Sequence, residues 1–298
     1  MQRRTFLALL ATPLLLPLAE PLLAQNVRSS RKRNTDKQAT SRYIFSQAMR
    51  QARTDGWHKL SIGQAMGQIG LLFVGTPYVG GTLEADGAEQ CRIDLTGLDC
   101  VTFFENTLDM ARIVKHNKYA FEDLQREVLR TRYRGGVLTD YASRLHYTSE
   151  WISDNVTKGV VQDVTRELGG VIFVNTVNFM STHPQYYAPL KEDVHMQATI
   201  AGIEERINAS TRYYIPKDRI ILIESMLQTG DIVAIATSKE GLDYAHTGMI
   251  YKDDAGVARL FHASSQKRKV VMDVSVSEYV NSVKSHTGIT VARPVDFS

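Results

Sequence analysis

The sequence predicts an α+β fold in which a helical first part is followed by an antiparallel β-sheet. Apolar residues recur at helical spacing in several segments between residues 41 and 212. After Gly230 the chain changes to short apolar runs separated by turn residues, which is typical of hairpin-connected strands. With 298 residues, 43% hydrophobic and 22% charged, the chain is long enough to bury a large core.

The first 24 residues have the composition of an export signal. Arg3 and Arg4 precede an apolar run, residues 6–18, that is too short and too rich in proline for a membrane span. The paired arginines favour the twin-arginine export route over an ordinary secretory signal. Residues 25–40 are polar and carry a net charge of +4, so we expect a flexible basic linker there. We therefore expect a periplasmic or secreted protein, with one catalytic domain over residues 41–298.

The net charge of +3 does not indicate nucleic-acid binding, because the excess lies in the first 40 residues and leaves −2 for the rest. The chain contains only two cysteines, Cys91 and Cys100, so at most one disulfide is possible. An oxidising compartment leaves that pairing open, although it would block Cys100 from reacting. We expect a monomer that does not span the membrane after signal removal.

Secondary structure follows from the same patterns. Ser61 followed by Gln64 is a capping box that starts a helix ending near Gly75. The predicted helices cover residues 41–53, 61–74, 100–111, 121–132, 196–212 and 277–282. Strand-like runs cover residues 91–95, 169–178, 232–235, 246–251, 257–263, 270–274 and 289–293.

Cys100 is predicted to open a buried helix, with Asp99 in the position of the N-cap. One face of this helix is apolar and consists of Val101, Phe104, Leu108 and Ala111. The unpaired amides of the first turn and the helix dipole favour a thiolate at Cys100, and the thiolate is the reactive form. A cysteine at this place can also be a small buried hydrophobe, so this window alone does not decide its role.

Two histidines in the last third could serve such a cysteine. His246 opens one strand and His262 lies on the next, and the tight hairpin 253–256 joins the two strands. Side chains of antiparallel neighbours that share a face lie close together, so His262 can hydrogen-bond His246 and fix its tautomer. The pattern predicts that Cys100 attacks a carbonyl, that His246 acts as its base, and that the Cys100 amide stabilises the oxyanion.

Other chemistries have little support. The remaining histidines show no metal-ligand spacing, and neither a phosphate-binding loop nor a Gly-x-Ser-x-Gly motif is present, so we expect no cofactor and no metal. The segment with Arg144, His146 and Trp151 suits recognition of a sugar or an anionic peptide. It suits an ordinary surface loop over a core equally well.

Several stretches, in order along the chain, resemble the NlpC-type cysteine peptidases of bacterial cell walls. Within that superfamily they are most similar to the bacterial domain family of N-acetylmuramoyl-L-alanine-amidase-like proteins. The stretches are Gly75-Thr76-Pro77-Tyr78, Leu98-Asp99-Cys100-Val101-Thr102-Phe103, Ser143-Arg144-Leu145-His146-Tyr147, Asn178-Phe179-Met180-Ser181 and Val291-Ala292-Arg293-Pro294. The resemblance extends from about residue 41 to the C-terminus. Phe104, where a smaller aliphatic residue is expected, and the Cys91 thiol depart from the family pattern.

The resemblance implies a papain-like α+β fold with a helix-borne cysteine packed on an antiparallel β-sheet and a mostly helical insert. It implies a site of Cys100, His246 and His262 that cleaves the amide between N-acetylmuramic acid and L-alanine of peptidoglycan fragments.

The resemblance also implies substrate-binding residues. Tyr78 and Asp99 match positions that line the cleft of the superfamily. Arg144 and His146 match a motif of the amidase-like branch, and we infer for them only a contact with substrate. Two alternatives remain open: an endopeptidase that cuts the stem peptide after γ-D-glutamate, and a non-catalytic peptidoglycan-binding module.

Overall fold

The computed structural model describes residues 22–84 and 87–297, with side chains from residue 36 onward. The expected export signal at residues 1–24 therefore lies almost wholly outside the described residues. The chain divides into two units, residues 1–37 and 38–298. Within the described ranges, no helix combines the length and the apolar character needed to cross a bilayer.

The described part of the chain alternates helices and strands until the sheet takes over near the C-terminus. The helices are α1 (Leu22–Thr54), α2 (Ile62–Leu72), α3 (Cys100–Lys115), α4 (Phe121–Arg132), α5 (Thr148–Thr157), α6 (Phe179–Thr182), α7 (Val194–Ala209), α8 (Ile220–Ile223) and α9 (Val276–Ser282). The strands are β1 (Val161–Asp163), β2 (Val171–Ile172), β3 (Tyr213–Pro216), β4 (Ile232–Thr237), β5 (Tyr244–Lys252), β6 (Ala258–Ser264), β7 (Lys269–Ser275) and β8 (His286–Pro294).

The strands form a sheet in which every pairing is antiparallel. Its order is β2-β3-β8-β4-β5-β6-β7, and β1 also pairs with β8. Strands β4 to β7 are consecutive neighbours, so short connections join them. The predicted antiparallel sheet in the last third of the chain is confirmed.

Hydrophobic residues cover both faces of this sheet. On β4, Ile232 and Ala234 face the helices α2 to α5, whereas Val233 and Ile235 face a second cluster with α8 and α9. This alternation is what a strand buried on both sides requires. A third cluster lies around α6 and α7.

Helix α3 is buried on all sides, since every residue from Thr102 to Val114 is buried. Phe103 packs on Phe261 of β6 with ring centroids 5.0 Å apart, and Phe104 packs edge-on to Trp151 of α5 at 4.9 Å. The predicted apolar face is therefore only part of the buried surface, and Val101 remains partly exposed. Contacts with helices and sheet together fix where the first turn of α3 lies.

Two predictions of local structure need correction. Residues 91–95 form no strand, and of residues 169–178 only Val171–Ile172 is a strand. Neither segment has a long neighbouring strand to pair with. Apolar residues alone do not form a strand, because a strand also needs hydrogen bonds to a neighbour.

Candidate active site

Cys100 is the first residue of α3, as predicted. Asp99 caps the helix reciprocally with Thr102: its carboxylate accepts the Thr102 amide at 2.8 Å, and its own amide donates to the Thr102 hydroxyl at 2.9 Å. Cys100 as a whole is half-buried, and its thiol contacts Thr247 of β5, the residue after His246. The amides of Cys100 and Val101 lie in the first turn, where a helix offers them no carbonyl acceptor. This turn can therefore donate hydrogen bonds to an oxyanion at Cys100.

The two predicted histidines are in contact. Nε2 of His246 lies 2.5 Å from Nδ1 of His262, and the rings meet edge to face. The other nitrogen of His262, Nε2, lies 3.3 Å from a carboxylate oxygen of Asp273 on β7. A relay of three side chains thus crosses three neighbouring strands, and it ends in an acid that the sequence analysis did not identify.

Strand register places these side chains on one face of the sheet. The β5–β6 pairing puts Gly248 opposite His262, and a Cβ atom at Gly248 would lie 3.0 Å from the His262 Cβ. His246, two residues before Gly248, is therefore a diagonal neighbour of His262. His262 pairs with Val271, so Asp273 is its diagonal neighbour on the other side. The missing side chain at Gly248 leaves room for the two imidazoles to meet.

The carboxylate at the end of the relay fixes both tautomers. A charged Asp273 can only accept, so Nε2 of His262 carries the proton and its Nδ1 accepts from Nε2–H of His246. Nδ1 of His246 is then left as a free proton acceptor. Burial raises the pKa of Asp273, but hydrogen bonds from Lys267, the Val274 amide and His262 outweigh it and lower that pKa overall. Asp273 is therefore ionised at neutral pH.

The resting charge of the site differs from the expected thiolate. Burial, followed by the nearby Asp99 carboxylate, raises the pKa of Cys100 to about 11, although Thr247 and the helix amide oppose this. Burial, with His262 and His286, lowers the pKa of His246 to about 3. At neutral pH both groups are uncharged. The helix N-terminus alone therefore does not ionise the thiol at neutral pH.

Two tyrosines lie beside the cysteine. Burial, Cys100 and Asp99 together raise the pKa of Tyr78 to about 12, so this predicted residue is near the thiol. A parallel bridge to Leu98 holds its backbone. Tyr279 on α9 was not predicted; its ring lies 5.0 Å from that of His262 and 6.1 Å from that of His246. Nothing in the sequence pattern separates Tyr279 from an ordinary helix residue.

A family model described as AmiA-like, N-acetylmuramoyl-L-alanine amidase-like, matches residues 68–289, a range that contains the cysteine and the relay. The chain belongs to this amidase-like family. Among curated proteins, none matches the chain significantly.

Solved structures similar to this amidase-like protein share its fold. An N-acetylmuramoyl-L-alanine amidase from Bacteroides uniformis is 33% identical, with a TM-score of 0.74 over 78% of this chain and 99% of its own. A Bacteroides fragilis protein, provisionally named a xylanase, is 37% identical, with a TM-score of 0.70 over 75% of this chain and 98% of its own. A Legionella pneumophila protein is 21% identical, with a TM-score of 0.69 over 88% and 96%, which shows the fold alone.

Arg144 and His146 of the amidase-like protein lie in a buried network away from the relay. Arg144 is paired with Glu84 at 2.6 Å and with Glu89 at 3.4 Å. His146 bonds the carbonyl oxygen of Tyr141 at 2.7 Å, and burial together with Arg144 lowers its pKa to about 3. Neither side chain has a contact with the cysteine or the relay among the described residues, so their visible role is to hold this segment.

The cysteines are not paired with each other, since both are free thiols. Cys91 lies 3.9 Å from the carbonyl oxygen of Gln125, and burial raises its pKa to about 11. Within residues 22–84 and 87–297, no group of three or more His, Cys, Asp and Glu side chains could hold a metal ion. Asp273 could have been suspected as the one charged residue in the apolar run 270–274, but only the sheet register shows which histidine it meets.

Proposed function

We propose that this protein cleaves the amide between N-acetylmuramic acid and L-alanine of peptidoglycan fragments, with Cys100 as nucleophile and His246 as base. The observation that carries the proposal is the relay His246–His262–Asp273, which leaves Nδ1 of His246 free on the strand whose next residue, Thr247, contacts Cys100. Membership of an amidase-like family and the similarity to an N-acetylmuramoyl-L-alanine amidase support the choice of bond.

In the first half of the reaction, Nδ1 of His246 takes the proton of the Cys100 thiol as sulfur attacks the lactyl carbonyl carbon. The oxyanion that forms accepts hydrogen bonds from the first-turn amides. The imidazolium of His246 then protonates the nitrogen of L-alanine, and the C–N bond breaks. The products of this half are a thioester on Cys100 and the free stem peptide.

In the second half, His246 deprotonates a water molecule that attacks the thioester. The C–S bond breaks, the thiol regains its proton, and the lactyl carboxylate of N-acetylmuramic acid is released. His262 and Asp273 do not touch the substrate; they keep the His246 tautomer correct and stabilise its positive charge. Because Cys100 and His246 are both neutral at rest, proton transfer accompanies attack in this protein.

The family resemblance also supports three broader proposals. The fold is of the papain-like NlpC type, the chain is exported by the signal at residues 1–24, and the reaction takes place outside the cytoplasm. Tyr78, beside the thiol, would contact the substrate. Asp99 would act mainly through its helix cap.

Product masses test the proposal. The full chain is incubated with an N-acetylmuramoyl tripeptide, with both cysteines kept reduced. Free N-acetylmuramic acid plus intact tripeptide is the expected result. A cut inside the stem peptide would instead support the alternative function, a γ-D-glutamyl endopeptidase with the same catalytic residues. Absence of any product would favour a non-catalytic peptidoglycan-binding module.

A further inference from the structure

A cavity of about 240 Å³ lies between α5 and the sheet, outside the cysteine and the relay. Hydroxyl-bearing residues dominate its polar lining, and they are Ser149, Ser153, Thr157, Ser210, Thr211, Tyr213, Tyr244 and Thr290. Arg212 is the only cation in the described lining, and Asp163 is its only carboxylate. A second cavity along α5 shares Ser149 and Ser210 with it, so the depression continues along this helix.

The guanidinium of Arg212 is held in place by neutral groups. Nη1 donates to the Ser149 hydroxyl at 3.3 Å, and Nη2 donates to the Asn175 carbonyl at 3.0 Å. The guanidinium carbon lies 5.4 Å from the centre of the Phe173 ring. Nε is buried and has no hydrogen-bond partner. The side chain is therefore positioned in advance, with donor capacity left over.

No carboxylate of the described residues lies within 4.0 Å of this guanidinium. The nearby Asp243 is 4% exposed, and its two carboxylate oxygens accept hydrogen bonds from the amides of Ser149 and Tyr244, at 2.8 and 2.7 Å. Asp163 accepts from the Thr165 amide at 2.9 Å. Burial lowers the pKa of Arg212, and Tyr244 and Asp243 only partly oppose this. A half-buried cation without a contacting anion is unfavourable, and an anionic ligand would remove that cost.

Strand register relates this cavity to the nucleophile. Thr290 on β8 pairs with Ala234 on β4, which pairs with Thr247 on β5. The three side chains share a face, and Thr290 is roughly 10 Å from Thr247 because two strand spacings separate them. Thr247 faces the Cys100 thiol. Ala234, Thr247 and Thr290 are themselves buried, so they give the separation of the two places and do not line a path between them. An extended peptide covers about 10 Å in three residues, which is the length scale of this separation.

We propose that this cavity is a subsite in which Arg212 binds a free carboxylate of the stem peptide. The inference rests on the proposed amidase function and adds the feature of the substrate that is recognised. Arg212 suits a carboxylate because its planar fork can present two donors to two oxygens. Asp163 on the same lining disfavours ligands of higher negative charge, such as phosphate, by repulsion.

Binding to the full chain carrying Cys100→Ala tests the inference without turnover. The probes are N-acetylmuramoyl-L-alanyl-D-glutamate and its diamide, titrated by calorimetry, with inorganic phosphate as a competitor. We expect the diacid to bind roughly 10- to 100-fold more tightly than the diamide, since charged hydrogen bonds are lost in the diamide. Equal affinities, or phosphate displacing the diacid at a lower concentration than the diamide does, would overturn the inference.

Variants locate the effect. In Arg212→Gln the preference for the diacid should fall below about threefold, whereas Arg212→Lys should keep part of it, because the charge stays and the fork is lost. Arg259→Gln is the matched control, since Arg259 already has Asp253 as a partner at 2.6 Å. An unchanged preference in Arg212→Gln would refute the assignment.

The comparison of diacid with diamide needs no variant at Arg212. It therefore tests the carboxylate subsite even if Arg212→Gln fails to fold. Binding and bond choice are read separately. If the enzyme cuts inside the stem peptide but still prefers the diacid, the amidase proposal is wrong and the carboxylate subsite stands. If the amidase products form but the diacid is not preferred, the amidase proposal stands and the carboxylate subsite is wrong.

Discussion

Replacing Asp273 by asparagine should disable catalysis through the tautomer of His246, with little effect on substrate binding. One oxygen of Asp273 accepts from the Val274 amide at 2.9 Å and from Lys267 Nζ at 2.8 Å. In the asparagine variant, these two donors would hydrogen-bond the single side-chain carbonyl oxygen. Its NH₂ group would then face Nε2 of His262 and donate to it, which reverses the direction of both hydrogen bonds in the relay.

The reversed relay places a proton on Nδ1 of His246, where the thiol proton should be received. The substitution also removes a negative charge. The ring centres of His246 and His262 are 4.8 Å apart, and the Asp273 oxygen lies 3.3 Å from Nε2 of His262. Taking the carboxylate to be roughly 8 Å from the His246 ring, at an effective dielectric constant near 20 it stabilises the imidazolium by about 2 kcal/mol. That energy alone corresponds to a factor of about 30 in rate. With the wrong tautomer added, we expect kcat to fall by about 10²- to 10⁴-fold.

The assay is release of N-acetylmuramic acid from the muramoyl tripeptide, with kcat and KM determined separately. KM should stay within about twofold, because Asp273 does not touch the substrate. Nitrogen chemical shifts of the His246 ring should show the proton moving from Nε2 to Nδ1. Asp254→Asn, the same change at an exposed hairpin position, is the control. A kcat within about threefold of the original, in a folded Asp273→Asn protein, would refute the relay.

Three further outcomes follow from the site. Cys100→Ser should lower kcat by at least about 10⁴-fold, whereas Cys91→Ser should leave it unchanged; equal losses in the two variants would remove Cys100 from its role. In Cys91→Ser protein, alkylation of Cys100 by iodoacetamide should keep accelerating as pH rises towards 11, because the thiolate forms only there; a rate already constant below pH 8 would contradict the raised pKa. Gly248→Ala should press its new Cβ on His262 at 3.0 Å, cost about 1–3 kcal/mol of stability by denaturant unfolding and lower kcat about tenfold; full activity would show that the two imidazoles do not need this space.

Local pattern was enough to predict the helix that begins at Cys100 and the hairpin that carries His246 and His262. The side chains of Asp99 and Thr102 each accept a hydrogen bond from the other's backbone amide, so the start of α3 at Cys100 depends on neighbours within three residues. The hairpin that brings His246 near His262 has turn residues at 253–256 and apolar strands on each side. Helix caps and hairpin turns can be predicted from the sequence because their hydrogen bonds join residues that are only a few positions apart.

Longer-range features were outside the reach of pattern. Residues 91–95 have the apolar character of a strand, but they pair with no strand in the described part of the chain. Arg144 and His146 have the composition of a binding segment, and only the folded chain shows that Arg144 contacts Glu84 and Glu89 and that His146 contacts Tyr141. Burial and strand pairing depend on residues that are distant in the sequence, so a short segment does not reveal them.

The sequence by itself determined the α+β class, the helix-start cysteine and the two histidines, since each depends on local periodicity, capping or turn chemistry. The tertiary structure alone decided the ionisation of the site and its fourth member, Asp273. Burial reversed the expected shift at Cys100, because desolvation of a charge outweighs the field of one helix turn. The register of β6 on β7 chose Asp273 as the partner of His262, and register is a property of paired strands that neither strand specifies alone.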